Sequence, residues 1–244
     1  MKIKPVFIIL CLLLAGPARA QNWGGGVDDS NVHFGFTFQY VSSEFKILKK
    51  DNWRSEPYID QDNPGLIPSR LKAISAVPSA GFGIGFVVNK RLSDNLDVRF
   101  TPTLVFNDRI LNYQYDNSTN DVEKKTQATL VEFPLGIKIK SDRRNNFRAY
   151  MLGGAKFTTD ISSKKKTNNS LITDPAEKFI NNKRNYLSYE AGLGFDLYFE
   201  YFKMSPEIKL SYSLKDVLKD EPTRYAAPID KLMLRHVTFS LFFE

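Results

Sequence analysis

Apolar and polar residues alternate with a period of two in one segment after another between His33 and Glu244, the pattern of strands that bury one face. In the first segment Phe34, Phe36, Phe38 and Tyr40 share a face, and Gly35, Thr37, Gln39 and Val41 share the other. The alternation recurs with Ala80, Phe82, Ile84, Phe86 and Val88, then with Leu96, Val98, Phe100, Leu104 and Phe106, then with Val131, Phe133, Leu135, Ile137 and Ile139. Residues 187–199, 206–213 and 232–244 continue it, whereas 147–157 is too weakly periodic for its faces to be assigned. Short turns at 91–95, 140–146 and 200–203 alternate with long polar stretches at 49–75, 107–125, 158–184 and 214–230. Within the third of these, Asp174-Pro175-Ala176-Glu177 offers an N-cap, a proline at the first helical position and an acid, which predicts a short helix to about Asn182.

About eight strands joined in this way predict an all-β fold. The expected architecture is a single antiparallel up-and-down transmembrane barrel with long extracellular loops and short periplasmic turns, and with both termini periplasmic. Apolar faces of five alternate positions cover roughly 23 Å at ~3.3 Å per residue and a tilt near 45°, about the height of an outer-membrane apolar band. The last strand, with Val237, Phe239, Leu241 and Phe243 on one face, would be an aggregation-prone edge in a soluble sandwich; pairing with the first strand removes that edge. The opposite faces carry Arg99, Glu132, Lys138, Glu190, Asp196, Glu207 and Lys209 among glycines and serines. These are the expected structural lumen charges, since an eight-stranded bore is just wide enough for side chains to fill. A lipocalin-like barrel would put the aromatic face inside, and alternation alone does not separate the two; the loop pattern and the terminal strand favour the membrane barrel.

Composition adds a destination. Lys2 and Lys4, an apolar run over 6–14 and Ala18-Arg19-Ala20 predict a signal peptide over 1–20. Gly16, Pro17 and Arg19 cut the run short of the ~20 residues that a membrane anchor needs. A glycine-rich periplasmic segment over 21–31 and a barrel over 32–244 would follow. Cys11 is the sole cysteine, so the mature chain would hold no disulfide, thiol nucleophile or cysteine metal ligand. Loss of the leader takes Lys plus Arg from 34 to 31 against 27 acids, a net +4, too mild and dispersed for nucleic acid. Mean hydropathy is −0.32 and no long apolar run follows the leader, so any crossing of the outer membrane of a Gram-negative cell must be through strands.

Candidate chemistry is sparse. Gly81, Gly83 and Gly85 have the spacing of a nucleotide loop but lie inside a strand pattern with no helix after them, so close packing on an inner face is expected. Asp28 and Asp29 are two carboxylates without further ligands and read as turn residues rather than a metal site. Lys164-Lys165-Lys166 fits either lipopolysaccharide phosphates or a solvated loop. The two histidines, His33 and His236, fall near opposite ends of strands that would pair, with no convincing local partner, and an enzyme is not expected. No catalytic, cofactor or metal residue is assigned.

At the N-terminus Asn22-Trp23-Gly24-Gly25-Gly26-Val27-Asp28-Asp29, followed by His33-Phe34-Gly35-Phe36-Thr37-Phe38-Gln39-Tyr40, resembles the PorT (SprT) family. The proline-containing strand Glu132-Phe133-Pro134-Leu135-Gly136-Ile137-Lys138 is similar to that of the wider PorT-like barrels. The resemblance implies an accessory outer-membrane component of the type IX secretion system, which exports cargo bearing C-terminal sorting domains and, in gliding bacteria, surface adhesins. Its implied partners are outer-membrane lipid, lipopolysaccharide and other components of that system. It brings no active site. A general small barrel for adhesion or envelope maintenance, and a lipid-modifying enzyme, are the other readings.

Overall fold

The computed structural model describes residues 30–54, 70–162, 169, 177–178, 180–219, 221 and 223–244. The leader, the glycine-rich segment up to Asp29, Lys164–Lys166 and the start of the expected helix, 174–176, lie outside them. The described end of that helix is not helical: Asn182 instead forms an isolated bridge to Leu218.

Ten strands follow in order: β1 Val32–Lys49, β2 Leu71–Val77, β3 Ser79–Ser93, β4 Leu96–Phe100, β5 Thr103–Tyr115, β6 Val122–Lys140, β7 Phe147–Asp160, β8 Asn185–Tyr198, β9 Lys203–Ser213 and β10 Ile229–Phe243. All pair antiparallel. They make eight walls, because β2 runs into β3 at Pro78 and β4 into β5 at Thr101-Pro102. β1 closes the sheet. It pairs with β10 from Phe36↔Phe243 to Lys49↔Ile229 and with β3 from Val32↔Lys90 to Ser43↔Ser79. The wall order is otherwise sequential, as an up-and-down barrel requires.

The alternation sorts inside from outside. Phe34, Phe36, Phe38, Tyr40, Phe82, Ile84, Phe86, Leu193, Ile208 and Phe239 are exposed on the outer surface, and Thr37, Gln39, Arg99, Glu207, Thr238 and Ser240 are buried inside. Outward rings stack near the turn end, Phe36 on Phe243 (5.2 Å) and Phe199 on Phe202 (4.8 Å), and again higher, Phe82 on Phe106 (5.1 Å) and Tyr189 on Tyr212 (6.0 Å). These have the character of the aromatic belts that flank an apolar band. Inside, glycine makes room where side chains crowd: a Cβ on Gly194 would lie 2.5 Å from the Tyr150 hydroxyl and 2.8 Å from the Pro206 carbonyl.

The strands run further than the polar stretches allow. β5 continues to Tyr115 and β6 begins at Val122, so the connection expected over 107–125 shrinks to six residues. Beyond the apolar band the pattern inverts: Leu111, Tyr113 and Tyr115 point inward, while Asn112 and Gln114 face out. The upper barrel is thus built like a soluble one, apolar inside and polar outside.

Candidate functional site

The bore is the site that the sequence singles out, and it has three storeys. Nearest the turns, β4 places Asp97 and Arg99 inward on the two positions between the Asp94-Asn95 turn and Pro102. Arg99 is the hub: its guanidinium donates to Asn89 (2.9 Å), Glu207 (2.8 Å) and Glu244 (3.3 Å) and lies over the Phe242 ring at 4.4 Å. Tyr150 donates to the same Glu207 oxygen (2.9 Å). Lys203 pairs with Glu244 (2.6 Å), Lys138 with both oxygens of Asp196 (2.8 and 2.9 Å), and Lys140 with Asp97 (2.6 Å).

The middle storey holds Lys156 with Glu132 (2.8 Å) and Lys209 between Glu190 (3.3 Å) and Glu207 (3.8 Å). His236 belongs here, which corrects the expectation that neither histidine has a partner. It sits opposite Ser43 in mid-strand, buried, with Nδ1 3.3 Å from the Lys156 ammonium and 3.7 Å from Glu132. His33, opposite Asn89, is ten residues away along β1, roughly 33 Å, so the two rings are indeed far apart. Arg109, also buried, donates to the Tyr186 hydroxyl (3.1 Å).

Above the charges the bore is stoppered by an apolar core. Phe45, Ile74, Leu111, Tyr113, Tyr186, Leu232 and Leu234 converge from the walls on Val217, Leu218, Tyr225 and Ala226 of the last connection. Tyr113 donates to the Tyr225 carbonyl (2.8 Å). Asp216 anchors this connection through the amides of Leu218 (3.0 Å) and Leu232 (2.8 Å) and the Lys183 ammonium (3.1 Å). Partial burial pushes its carboxyl up, but these donors outweigh that and hold it below the ordinary aspartate range.

All seven sequence-chosen charges, Arg99, Glu132, Lys138, Glu190, Asp196, Glu207 and Lys209, lie buried in the bore. Sequence reasoning did not single out Lys156 and Glu244, which pair with Glu132 and Arg99, nor Lys203, which pairs with Glu244, nor the pair Lys140–Asp97. Glu244 shares the parity of Thr238 and Ser240, which was a usable signal. Lys156 lies in β7, where outward Ala149, Gly153 and Ala155 blunt the alternation. Chemically the arrangement is an ion-paired lattice, in which Glu190 Oε2 and two nitrogens of the Arg109 guanidinium are buried without a hydrogen bond. Asp97, Glu132, Glu190, Asp196, Glu207 and Glu244 each have an ammonium or guanidinium within 3.3 Å, so none is a free base. Among the described residues no cluster of three metal-ligating side chains occurs.

Residues 20–219 match the model of the outer membrane protein beta-barrel domain. The chain belongs to this family. Its place is therefore the outer membrane, and the outward faces of this outer-membrane barrel are aromatic and aliphatic. Among solved structures it is similar to the outer membrane protein OprG from Pseudomonas aeruginosa, with 14% identity, 87% of this chain and 92% of that one covered and a TM-score of 0.47. It is also similar to Neisserial surface protein A, with 6% identity, 87% and 98% covered and a TM-score of 0.42. No curated protein matches.

Proposed function

We propose that this outer-membrane barrel is an accessory component of the type IX secretion system, needed for export or maturation of cargo with C-terminal sorting domains and, where present, for gliding motility. It does not conduct the cargo. The observation that carries the second half is the filled bore, ion-paired below and apolar above, which leaves no passage for a folded protein. The pathway rests on the resemblance of residues 22–40 to the PorT family. Termini in the periplasm would then set the loop end, with its apolar stopper, at the cell surface.

Membership in a broad barrel family favours equally a general role in adhesion or envelope maintenance, and one experiment separates the two. Deletion should trap sorting-domain cargo inside the cell, read by immunoblot of cells and medium. Normal cargo release with altered surface binding or detergent sensitivity would assign the general role instead. The lipid-modifying alternative predicts a changed lipid profile, and the pairing of each bore carboxylate with a cation argues against it.

A further inference from the structure

Six carboxylates of the bore each have a cation of their own, in Lys140, Lys156, Lys209, Lys138, Arg99 and Lys203. Arg109 is left without one among the described residues, although it is only 2% exposed. One nitrogen of its guanidinium, Nη2, donates to the Tyr186 hydroxyl (3.1 Å), while Nε and Nη1 are buried with no acceptor. The rings of Phe45 and Tyr186 lie 5.9 and 5.8 Å from the guanidinium carbon, close to the outer limit of about 6 Å for a cation–π contact, and neither satisfies the two free donors. A charge buried without a counter-ion is costly, and a bound anion would offset it. A water accepts hydrogen bonds but leaves the charge unbalanced.

A second free donor stands nearby. The Lys156 ammonium can only donate, so His236 accepts from it at Nδ1 (3.3 Å) and carries its own proton on Nε2, which is buried with no acceptor. Strand β1 brings the two side chains together. His236 is opposite Ser43, Ser43 donates to the carbonyl of Asp108 (3.3 Å), the residue before Arg109, and the Phe45 ring meets the guanidinium. Arg109 is within electrostatic range of His236. The site lies beside a seam in the wall, where the β1–β3 ladder ends at Ser43↔Ser79 and no ladder joins β1 to β2 above it. The seam follows a one-residue slip between Val77↔Ile110 and Gly81↔Asn107, a bulge at Pro78, which has no N–H to donate. Leu111, the next inward residue of β5, belongs to the stopper, so the roof of the site is apolar. Multiply charged, strongly hydrated anions lose most on entering such a place, and one surplus charge calls for one in return.

We propose that the bore holds one monovalent anion of chloride size, seated on the Nε–Nη1 edge of Arg109 with the Nε2–H of His236 as a further donor. The first test is anomalous diffraction from crystals of the full barrel grown in bromide. One peak beside the Arg109 guanidinium is expected, and a water there without anomalous signal would overturn the site. The second test is reversible urea unfolding from vesicles, with chloride replaced by gluconate at constant ionic strength. Above the dissociation constant, each tenfold rise in chloride should raise the folded-to-unfolded ratio about tenfold, because the folded barrel alone binds the ion. A wild type indifferent to chloride would overturn the proposal. Arg109→Gln removes the surplus charge and should abolish the chloride dependence; a dependence that persists would overturn the assignment to Arg109. Thr158→Asp puts a carboxylate beside the Tyr186 hydroxyl to which Arg109 donates, and should take the place of the ion. Its stability should no longer follow chloride, and a variant that still gains tenfold would count against the site. Heat-modifiable gel migration verifies that each variant is folded, and the two measurements on the wild type decide the matter where one is not.

Discussion

Replacing Glu244 with alanine strikes the ion lattice where its consequence is most calculable. The carboxylate accepts from Asn89 (2.5 Å), Lys203 (2.6 Å) and Arg99 (3.3 Å), and its side chain is 0% exposed. Arg99 keeps Glu207 at 2.8 Å, so it is not orphaned. Lys203 loses its paired carboxylate, with 4% of its side chain exposed and only the more distant Asp196 left to attract it. Leaving one buried partner uncompensated costs roughly 3–5 kcal/mol, whereas removing both together costs much less, because the desolvation of the remaining charge disappears as well. Glu244→Ala should therefore lose roughly 3–5 kcal/mol in urea unfolding from vesicles followed by tryptophan fluorescence, and Lys203→Met with Glu244→Gln should recover more than half of it. A single variant within about 1 kcal/mol of wild type would refute the claim that these charges are held dry. A double variant as unstable as the single would refute the claim that the cost lies in the orphaned cation.

The other expectations concern faces, closure and pH. Arginine at Phe133 or Leu193, both outward in mid-strand, should cost roughly 2–4 kcal/mol in the same assay, as a charge placed near the bilayer midplane does. Gly194→Ala should cost about 1–3 kcal/mol by overpacking, since Tyr150 must move and so loosen its bond to Glu207. Deleting residues 237–244 removes the β10 partners of β1 from Phe36 to Ser42, and should leave protease-sensitive protein that no longer shifts on heating in gels. Asp216 has a folded-state pKa below its unfolded one, so its contribution is present above the ordinary aspartate range, near 4, and is lost as pH falls through the folded value. Proteolysis within 214–228 should accelerate in that acid window, and Asp216→Asn should be cut fast at every pH.

The eight walls were legible because lipid on one side and a bore on the other impose a period of two, as in Phe133 to Ile139. Even the face of each lumen charge could be read from glycine and serine neighbours. What escaped was the part of each strand beyond the band. There Leu111, Tyr113 and Tyr115 turn inward and polar residues outward, so a pattern sought as apolar-out looked like a polar loop. The pairing of charges was illegible for another reason: Arg99 and Glu244 are 145 positions apart and meet only because β1 joins β10 to β3. Likewise nothing local announced the seam, since Pro78 marks an irregularity without saying which neighbour loses its ladder.

The stopper has a consequence for how the particle can come into being. Val217, Leu218, Tyr225, Ala226, Ile229, Leu232 and Leu234 all belong to the final hairpin, between β9 and the end that meets β1. Until that hairpin arrives, the wall lacks its last plank and the cavity lacks its cork, and water has free run of every lysine and carboxylate within. Sealing the circumference and expelling the bath are thus one event, and an intermediate arrested just before it would be both unzipped and waterlogged.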